Sequence, residues 1–223
     1  GSMSLGEKDG GLPPDSVIQT EDTILADSER VVSAFHQAQE GAMLQIALAP
    51  CSPFSVSTQL MKDTATLAKS LNIQLHTHLG ETEDEDAFCL RQFGMRPVDY
   101  LASCGWLGES TWLAHGIHFN ERELCCVSDN DTSIAHCPTS NLFIGSGLFN
   151  IKQMREHKIN VGMGTDVGGG SSFSMLATMR SAYEIGQLRG DALHPAQLWW
   201  LATAGSATAM RVGDKIGGLA EGM

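Results

Sequence analysis

The sequence predicts an α/β fold that forms part of a (β/α)8 barrel, with about five parallel strands and flanking helices. Short apolar runs alternate with longer amphipathic ones, which is the pattern of βα units around a parallel sheet. The short runs are apolar on both faces, as buried parallel strands are. Polar side chains capable of chemistry stand where these runs end, and such strand ends form the active-site face of a barrel.

The elements are predicted in a regular order along the chain. A helix at about 20–39 precedes a strand at 43–49, which ends at the turn-forming segment Pro50–Pro53. The remaining strands are predicted at 73–78, 111–115, 133–136 and 160–164. The helical stretches are predicted at 57–71, 96–103, 121–128, 148–157 and 195–204.

The composition is that of a single globular domain with an acidic surface. Lys and Arg total 14 against 26 Asp and Glu, a net charge of −12 that disfavours nucleic acid as a partner. No apolar run is long enough to cross a bilayer, so no membrane contact is expected. The six cysteines lack the spacing of a disulfide framework and fit a reducing cytoplasm.

One adjacent pair of cysteines, Cys125 and Cys126, stands out from the other four. The pair could form a redox or metal site. Two buried thiols on one helix are the more ordinary interpretation, and the sequence assigns the pair no role.

Histidine or aspartate recurs at the ends of consecutive predicted strands. His76 and His78, His115, His136 and Asp166 all lie at or just beyond the carboxyl end of a strand. One strand-end histidine is more often a hydrogen-bonded core residue than a ligand. Recurrence over several strands favours a functional site, because the interior of a barrel prefers branched apolar side chains.

These strand ends combine imidazoles with carboxylates. Glu81 follows His78 in the next loop, and Asp166 is followed by Gly168–Gly170, which would let backbone approach a ligand closely. Imidazole and carboxylate are suitable ligands for a zinc or iron ion that activates water. His115 could bind such an ion or steady a substrate.

Four motifs resemble the amidohydrolase superfamily, specifically its cytosine-deaminase-like branch of guanine deaminases, 8-oxoguanine deaminases and triazine hydrolases. In chain order they are HTHLGETEDE, WLAHGIHF, AHCPTSN and GTDVGGGSSFSML. The resemblance implies that His78 and Asp166 bind Zn²⁺ or Fe²⁺ and that Glu81 is the proton shuttle. It implies that Asp166 also takes a proton from the activated water, and that His115 faces the substrate or supports the metal. It leaves His76 without a fixed role.

The chain departs from the family pattern at its start. The family draws two further metal ligands from a His-x-His motif on its first strand, and no such motif precedes residue 70. Five strands are also three short of a complete barrel. We therefore expect residues 1–223 to be the C-terminal portion of a barrel hydrolase, and its open sheet edges predict a homo-oligomer or a longer polypeptide.

The resemblance implies a small amino-heterocycle as substrate, with conflicting signals about which one. Residues 1–120 resemble 8-oxoguanine deaminases, whereas 141–149 and 164–175 resemble guanine deaminases. Guanine deaminases carry an arginine near the position of Cys51 or Ser52, which disfavours guanine itself. The residues expected to bind substrate are Cys51, Ser52, Phe54, His115 and Phe143.

Three functions therefore remain open. The first is metal-dependent deamination of a purine-like base such as guanine or 8-oxoguanine. The second is removal of an amino group or chlorine from a triazine on the same scaffold. The third is a catalytically incompetent fragment that acts only as a folded or oligomeric module.

Overall fold

A computed structural model describes residues 1–39 and 41–221. Over these residues the strands form one five-stranded sheet in the order β1-β2-β3-β4-β5, and every neighbouring pair is parallel. The strands are β1 (Ala47–Leu48), β2 (Gln74–Leu79), β3 (Thr111–His115), β4 (Ser133–His136) and β5 (Val161–Met163). Sequential parallel strands joined through helices are the connectivity of a (β/α) barrel, so the predicted partial barrel is confirmed.

The helices follow the strands in chain order and cover the sheet. They are α1 (Glu21–Phe35), α2 (Thr58–Leu71), α3 (Glu83–Phe93), α4 (Pro97–Ser103), α5 (Glu121–Asp129), α6 (Pro138–Phe143), α7 (Ile151–Glu156), α8 (Met175–Arg189), α9 (Pro195–Trp200) and α10 (Ser206–Ala209). A π-helical turn, Leu201–Gly205, joins the last two, and short 3-10 turns lie at Glu7–Asp9 and Asp15–Val17. No helix within the described ranges is long and apolar enough to cross a membrane.

The first helix and first strand are shorter than the sequence predicts. α1 ends at Phe35 because His36 turns extended, and the ring Nδ1 of His36 accepts a hydrogen bond from the backbone N–H of Ile46 at 3.0 Å. Because of this hydrogen bond, the residues just before β1 have irregular structure and do not join the sheet. β1 then pairs only where Ala47 and Leu48 meet β2.

Helix ends in the chain are fixed by side chains that accept backbone hydrogen bonds. Ser57 caps α2 by accepting from the N–H of Leu60 at 3.0 Å. Asn120 and Glu123 form a reciprocal capping box at the start of α5. Such caps stabilise a helix by about 1 kcal/mol each, so they set where the following loop meets the sheet.

The register of the sheet brings the reactive strand ends to one edge. Leu79 at the end of β2 pairs with His115 at the end of β3, and His136 at the end of β4 pairs with Met163 of β5. Gly80 follows β2 at φ +64, where an added Cβ would collide with the Phe119 ring. The chain can therefore turn sharply at this point only because residue 80 is glycine.

The two edges of the sheet differ in what covers them. Beside β1, the backbone N–H of Ser2 donates to the carbonyl oxygen of Ala49 at 3.2 Å. The carbonyl oxygen of Ser2 accepts from the N–H of Cys51 at 2.9 Å. Beside β5 lies an apolar cavity of about 530 Å³, lined by Val161, Trp200 and neighbouring residues. A smaller cavity of about 290 Å³ adjoins β1 at Ala47 and Leu48, so both edges of the described sheet border open space.

Candidate active site

His78 is held at the end of β2 by a single carbonyl group. The carbonyl oxygen of Cys51 accepts both the backbone N–H of His78, at 3.1 Å, and its ring Nδ1–H, at 2.6 Å. A carbonyl can only accept, so the ring proton sits on Nδ1. The lone pair of Nε2 is left for an ion or a substrate, which is how metal-binding histidines are usually oriented.

The surroundings of His78 favour positive charge. Burial alone would lower its pKa, but hydrogen bonds to Cys51 and the negative charge of Asp166 outweigh burial and raise the pKa to about 9. Burial likewise opposes ionisation of the Cys51 thiol, yet its contact with His78 holds the pKa of Cys51 below its usual value. Nε2 of His78 is therefore strongly basic: without a bound ion it holds a proton at neutral pH, and a metal ion would take the place of that proton.

His115 ends β3 in an uncommon backbone conformation, with φ +76. Its ring stacks on His78 with 5.4 Å between ring centroids, so the two imidazoles face one another. The side-chain amide of Asn141 donates to Nδ1 of His115 at 2.8 Å, which leaves the proton on Nε2. Burial and the charge of His78 lower the pKa of His115 to about 4, so at neutral pH it is a neutral N–H donor.

Glu81 lies opposite that donor. One carboxylate oxygen accepts from the hydroxyl of Ser146 at 3.1 Å, and the other lies 3.6 Å from Nε2 of His115. Burial raises the pKa of Glu81 above its usual value, against the opposing effect of the Ser146 hydrogen bond. A carboxyl group with a raised pKa is suited to accepting and returning a proton near neutral pH.

The loop that carries Glu81 is fixed by a second, more deeply buried carboxylate. Glu85 accepts from the backbone N–H groups of Gly80 and Glu81, both at 3.0 Å, and is only 2% exposed. Glu85 is buried although it belongs to the acidic first turn of α3, where carboxylates are ordinarily exposed to solvent. Its carboxylate points inwards because the tight turn after β2 leaves two backbone donors there to be satisfied.

Asp166 follows β5 with a left-handed backbone, φ +45. Gly168–Gly170 are expected from the sequence to let backbone approach a ligand. In the structure two of these glycines accommodate the chain itself, because an added Cβ would collide with the Ser140 hydroxyl at Gly169 and with the Thr165 carbonyl at Gly170. The turn that presents Asp166 can close because these positions carry no side chain.

The strand ends supply donor atoms that fit a metal ion. One potential ligand atom from each of His115, Cys137 and Asp166 lies within 4.8 Å of the others. Nε2 of His115 and Oδ1 of Asn141 are buried without a hydrogen-bond partner, which marks a place where a bound group is needed. Imidazole nitrogen and carboxylate oxygen suit zinc or ferrous iron, so in this cluster the carboxylate of Asp166 is the expected ligand, whereas Nε2 of His115 carries a proton and Cys137 is a thiol.

Two of these residues, Cys137 and Asn141, had no role in the sequence prediction. Both belong to the AHCPTSN motif after β4, so their position beside a strand-end histidine was the available signal. Burial, reinforced by the charge of Asp166, raises the pKa of Cys137 to about 12. The thiol is therefore protonated at neutral pH, and its Sγ donates to the carbonyl of Ala135 at 3.4 Å.

The residues expected to contact substrate differ in burial and in the groups that they contact. Cys51 lies against His78, while the Ser52 hydroxyl is buried and bonded to Ser55 at 2.6 Å. Phe54 is half-buried and meets Phe88 edge to face, with 6.3 Å between ring centroids. Phe143, at the end of α6, is 73% exposed. The loop at 51–54 thus borders the His78 side, whereas the ring of Phe143 is open to solvent.

The two remaining strand-end histidines face packing partners. His76 stacks on Trp112 at 5.2 Å between ring centroids, and burial followed by the charge of His78 lowers its pKa to about 4. His136 is buried and stacks on Phe149 at 4.2 Å, and burial lowers its pKa to about 3. Both are therefore neutral at physiological pH.

The sequence signature of the Amidohydrolase family matches residues 4–223. The chain belongs to the amidohydrolase family. It is 48% identical, over its full length, to 8-oxoguanine deaminase from Pseudomonas aeruginosa, and it covers 50% of that amidohydrolase. It is 34% identical to guanine deaminase from Escherichia coli, over 94% of this chain and 48% of the other.

Solved structures of amidohydrolase relatives share the fold. Escherichia coli guanine deaminase matches 97% of this chain and 49% of its own with a TM-score of 0.89 and 33% identity. A zinc complex of atrazine chlorohydrolase from Arthrobacter aurescens matches 99% and 50% with a TM-score of 0.92 and 27% identity. The chain therefore spans about half the length of the relatives it matches, and the resemblance stated from its motifs is confirmed.

Proposed function

We propose that this chain is the C-terminal part of a metal-dependent aminohydrolase that deaminates a purine-like base of the guanine or 8-oxoguanine type. The observation that carries the proposal is the facing arrangement of Glu81 and His115, a half-buried carboxyl group 3.6 Å from a neutral N–H donor, beside His78 and Asp166. The 48% identity to an 8-oxoguanine deaminase supports the same reaction class.

His78 and Asp166 would hold the metal ion, Zn²⁺ or Fe²⁺. When bound, such an ion would supply water activation and polarise the reacting carbon. His78 fits this role because its Nδ1–H is committed to the Cys51 carbonyl, so Nε2 is the nitrogen that would exchange its proton for the ion. Asp166 fits because its carboxylate neutralises the charge gathered near His78. Asp166 is also the group expected to take up the proton of the attacking water.

Glu81 would carry protons to the substrate. Its raised pKa lets the carboxyl group protonate a ring nitrogen of the base and then the departing amino group. The Ser146 hydroxyl fixes the orientation of the carboxyl, and Glu85 fixes the backbone beneath it. Proton transfer of this kind typically accelerates a reaction about 10²–10⁴-fold.

His115 would serve as a hydrogen-bond donor. Of the two roles that the sequence left open, substrate contact is favoured over metal binding, because Asn141 commits Nδ1 as the acceptor and leaves a proton on Nε2. A neutral imidazole N–H can stabilise negative charge that develops on the substrate. Asn141 is then a positioning residue for His115.

The loop at 51–54 supports the 8-oxoguanine type over guanine. Cys51 or Ser52 stands where guanine deaminases carry an arginine, so a charged reader of the guanine edge is missing from this position. Phe54 and Phe143 are proposed to line the remainder of the pocket. We further propose a cytoplasmic enzyme of purine metabolism that acts as a homo-oligomer.

A triazine substrate is the second candidate. It is favoured by the TM-score of 0.92 to atrazine chlorohydrolase and by 33% identity to hydroxydechloroatrazine ethylaminohydrolase of Pseudomonas sp. strain ADP. The third candidate, an inactive module, predicts that the 223-residue chain binds metal weakly and turns over no substrate.

A substrate panel separates the three functions. Guanine, 8-oxoguanine, a hydroxylated aminotriazine and a chlorotriazine are assayed for ammonia, alkylamine or chloride release. Two polypeptides are compared, the 223-residue chain and a form that also supplies the His-x-His strand. We expect ammonia from 8-oxoguanine faster than from guanine, and only with the longer form. Preferential triazine turnover would replace the proposal, and no turnover by the longer form would reject it.

A further inference from the structure

Three potential metal ligands meet on the helical surface, on elements that carry none of the strand-end residues. One ligand atom from each of Glu121, Cys125 and His157 lies within 4.8 Å of the others. Glu121 and Cys125 stand four residues apart on α5, so they share one face of that helix. His157 comes directly after α7.

The ring of His157 has its proton position fixed. Nδ1 lies 2.9 Å from the carbonyl oxygen of Gln153, and only an Nδ1–H can make that hydrogen bond. The opposite nitrogen, Nε2, lies 2.8 Å from a carboxylate oxygen of Glu121. In the neutral ring Nε2 presents a lone pair, and the carboxylate oxygen of Glu121 also presents lone pairs. Two such atoms repel each other, so this close contact requires a cation between them, either a proton or a metal ion.

The two elements that carry the three side chains are tied together. The hydroxyl of Ser128, near the end of α5, donates to the backbone carbonyl of His157 at 2.6 Å. At its other end, α5 is fixed by the Asn120–Glu123 capping box. The ligands therefore extend from anchored backbone, which lowers the entropy lost when they close on an ion.

Access and donor chemistry fit an exchangeable transition-metal ion. Cys125 is exposed, and the side chain of Glu121 is 75% exposed, so an ion can reach both from solvent. Thiolate, imidazole and carboxylate together form the donor set typical of zinc, with solvent available for a fourth position. The expectation of two buried thiols at 125–126 is wrong: Cys125 is exposed on α5, and Cys126 is half-buried.

We propose that Glu121, Cys125 and His157 form a peripheral binding site for a divalent ion of the zinc type. Binding converts the Cys125 thiol to a thiolate and replaces any proton on Nε2 of His157, so these protons are released to solvent. The site is independent of the deamination chemistry. Its ligands lie on α5 and after α7, whereas the proposed catalytic groups follow β2, β3 and β5.

The test measures how fast Cys125 is alkylated by iodoacetamide with and without Zn²⁺. The chain is first treated with a chelator and exchanged into chelator-free buffer, and peptide mass mapping follows Cys125 in a Cys126→Ser background. A zinc-bound thiolate is a poor nucleophile, so we expect Zn²⁺ to slow alkylation of Cys125 by about tenfold or more. Mg²⁺ at the same concentration should leave the rate unchanged.

Ligand variants decide whether the cluster is responsible. His157→Gln and Glu121→Gln should each lose most of the protection by Zn²⁺, whereas His194→Gln removes an exposed histidine elsewhere and should keep it. Using two ligand variants guards against one of them failing to fold. The proposal is overturned if Zn²⁺ does not slow alkylation, or if it protects both folded ligand variants as well as the parent chain.

Discussion

Two histidine–glutamate pairs in this chain have opposite character. His115 faces Glu81 at 3.6 Å inside the strand-end site, and His157 faces Glu121 at 2.8 Å on the helical surface. Burial lowers the pKa of His115 to about 4, whereas hydrogen bonds to Gln153 and then Glu121 raise the pKa of His157. The same two residue types therefore give a neutral N–H donor in one place and an ion pair in the other. Solvent access, more than residue identity, decides which chemistry the pair can perform.

The largest effect on kcat is expected at the His115–Glu81 pair, from Glu81→Gln in a polypeptide that supplies the complete barrel. The amide keeps the size of the side chain but carries no proton, so kcat should fall about 10²–10⁴-fold. Steady-state kinetics and metal analysis check this, with Glu83→Gln as a matched control on an exposed glutamate of α3. Turnover of Glu81→Gln at the parent rate would remove Glu81 from the mechanism.

Asp166→Asn distinguishes a ligand from a shuttle in the same polypeptide. We expect the amide that this substitution introduces, a weaker donor than carboxylate, to lower both metal content and turnover, whereas Glu81→Gln should keep its metal. Metal analysis after dialysis compares the two proteins. If Asp166→Asn retained a full metal complement, the assignment of Asp166 as a ligand would be wrong.

Glu85 tests the effect of burial on a carboxyl group without a histidine partner. Burial, against two backbone hydrogen bonds, raises its pKa to about 7 from an ordinary 4.5. Folding therefore takes up a proton between these values, and the contribution of Glu85 to stability is greatest below pH 4.5 and decreases as pH rises to about 7. The difference in unfolding free energy between the parent chain and Glu85→Gln should change by on the order of 3 kcal/mol over this window.

Urea unfolding of the two chains from pH 4 to 8 measures that difference, because titrations common to both cancel. Glu83→Gln again serves as the control, since an exposed carboxyl group should give a nearly flat difference. A flat difference for Glu85→Gln as well would mean that Glu85 stays ionised in the folded chain, held by the N–H groups of Gly80 and Glu81.

Asn141→Ala should weaken the buried pair through His115. Without the amide donor, His115 can rotate or carry its proton on Nδ1, and kcat should fall about 10–100-fold with a smaller change in KM. Asn141→Asp keeps the size but can only accept from Nδ1–H, so it should be at least as damaging. Asn130→Ala, on an exposed asparagine, is the control. Full activity of Asn141→Asp would show that the tautomer of His115 does not matter.

The smallest effect is expected at the exposed pair when no metal is present. The raised pKa of His157 means that its contribution to stability is complete below pH 6.5 and is lost as pH rises through the higher folded value. Solvent screening limits such a surface pair to less than about 1 kcal/mol. Urea unfolding of His157→Gln at pH 6 and pH 9 checks this, and a loss as large at pH 9 as at pH 6 would contradict the ion-pair interpretation.

The strands were predictable because their evidence is local. β3 and β4 begin and end at the predicted residues, and β5 lies within its predicted range. Each is a short apolar run bounded by polar or turn-forming residues, so its limits are visible in the sequence. β1 is shorter than predicted because the ring of His36, ten residues upstream, accepts the hydrogen bond of the Ile46 N–H, which is then unavailable for strand pairing. No local pattern reports such a contact.

The supporting residues of the site were harder to predict than its reactive ones. His78, Glu81, His115 and Asp166 are marked by their places at strand ends. Glu85 belongs to a run of four acidic residues, and the run gives no sign of which carboxylate turns inwards. Asn141 and Cys137 reach His115 and Asp166 only across neighbouring strands, so their roles depend on the sheet register.

The left-handed backbone at His115 and Asp166 implies a conflict between thermal stability and activity. A side chain at φ +76 or +45 carries a conformational cost that glycine avoids, of about 1–2 kcal/mol per residue. Selection for heat resistance alone would therefore favour glycine or asparagine at half-buried Asp166, where a carboxylate is needed, whereas at buried His115 glycine would also leave a cavity beside Asn141. A thermostability screen of this chain should exclude residues 115 and 166 from randomisation, because its best-folded members would otherwise be among its least active.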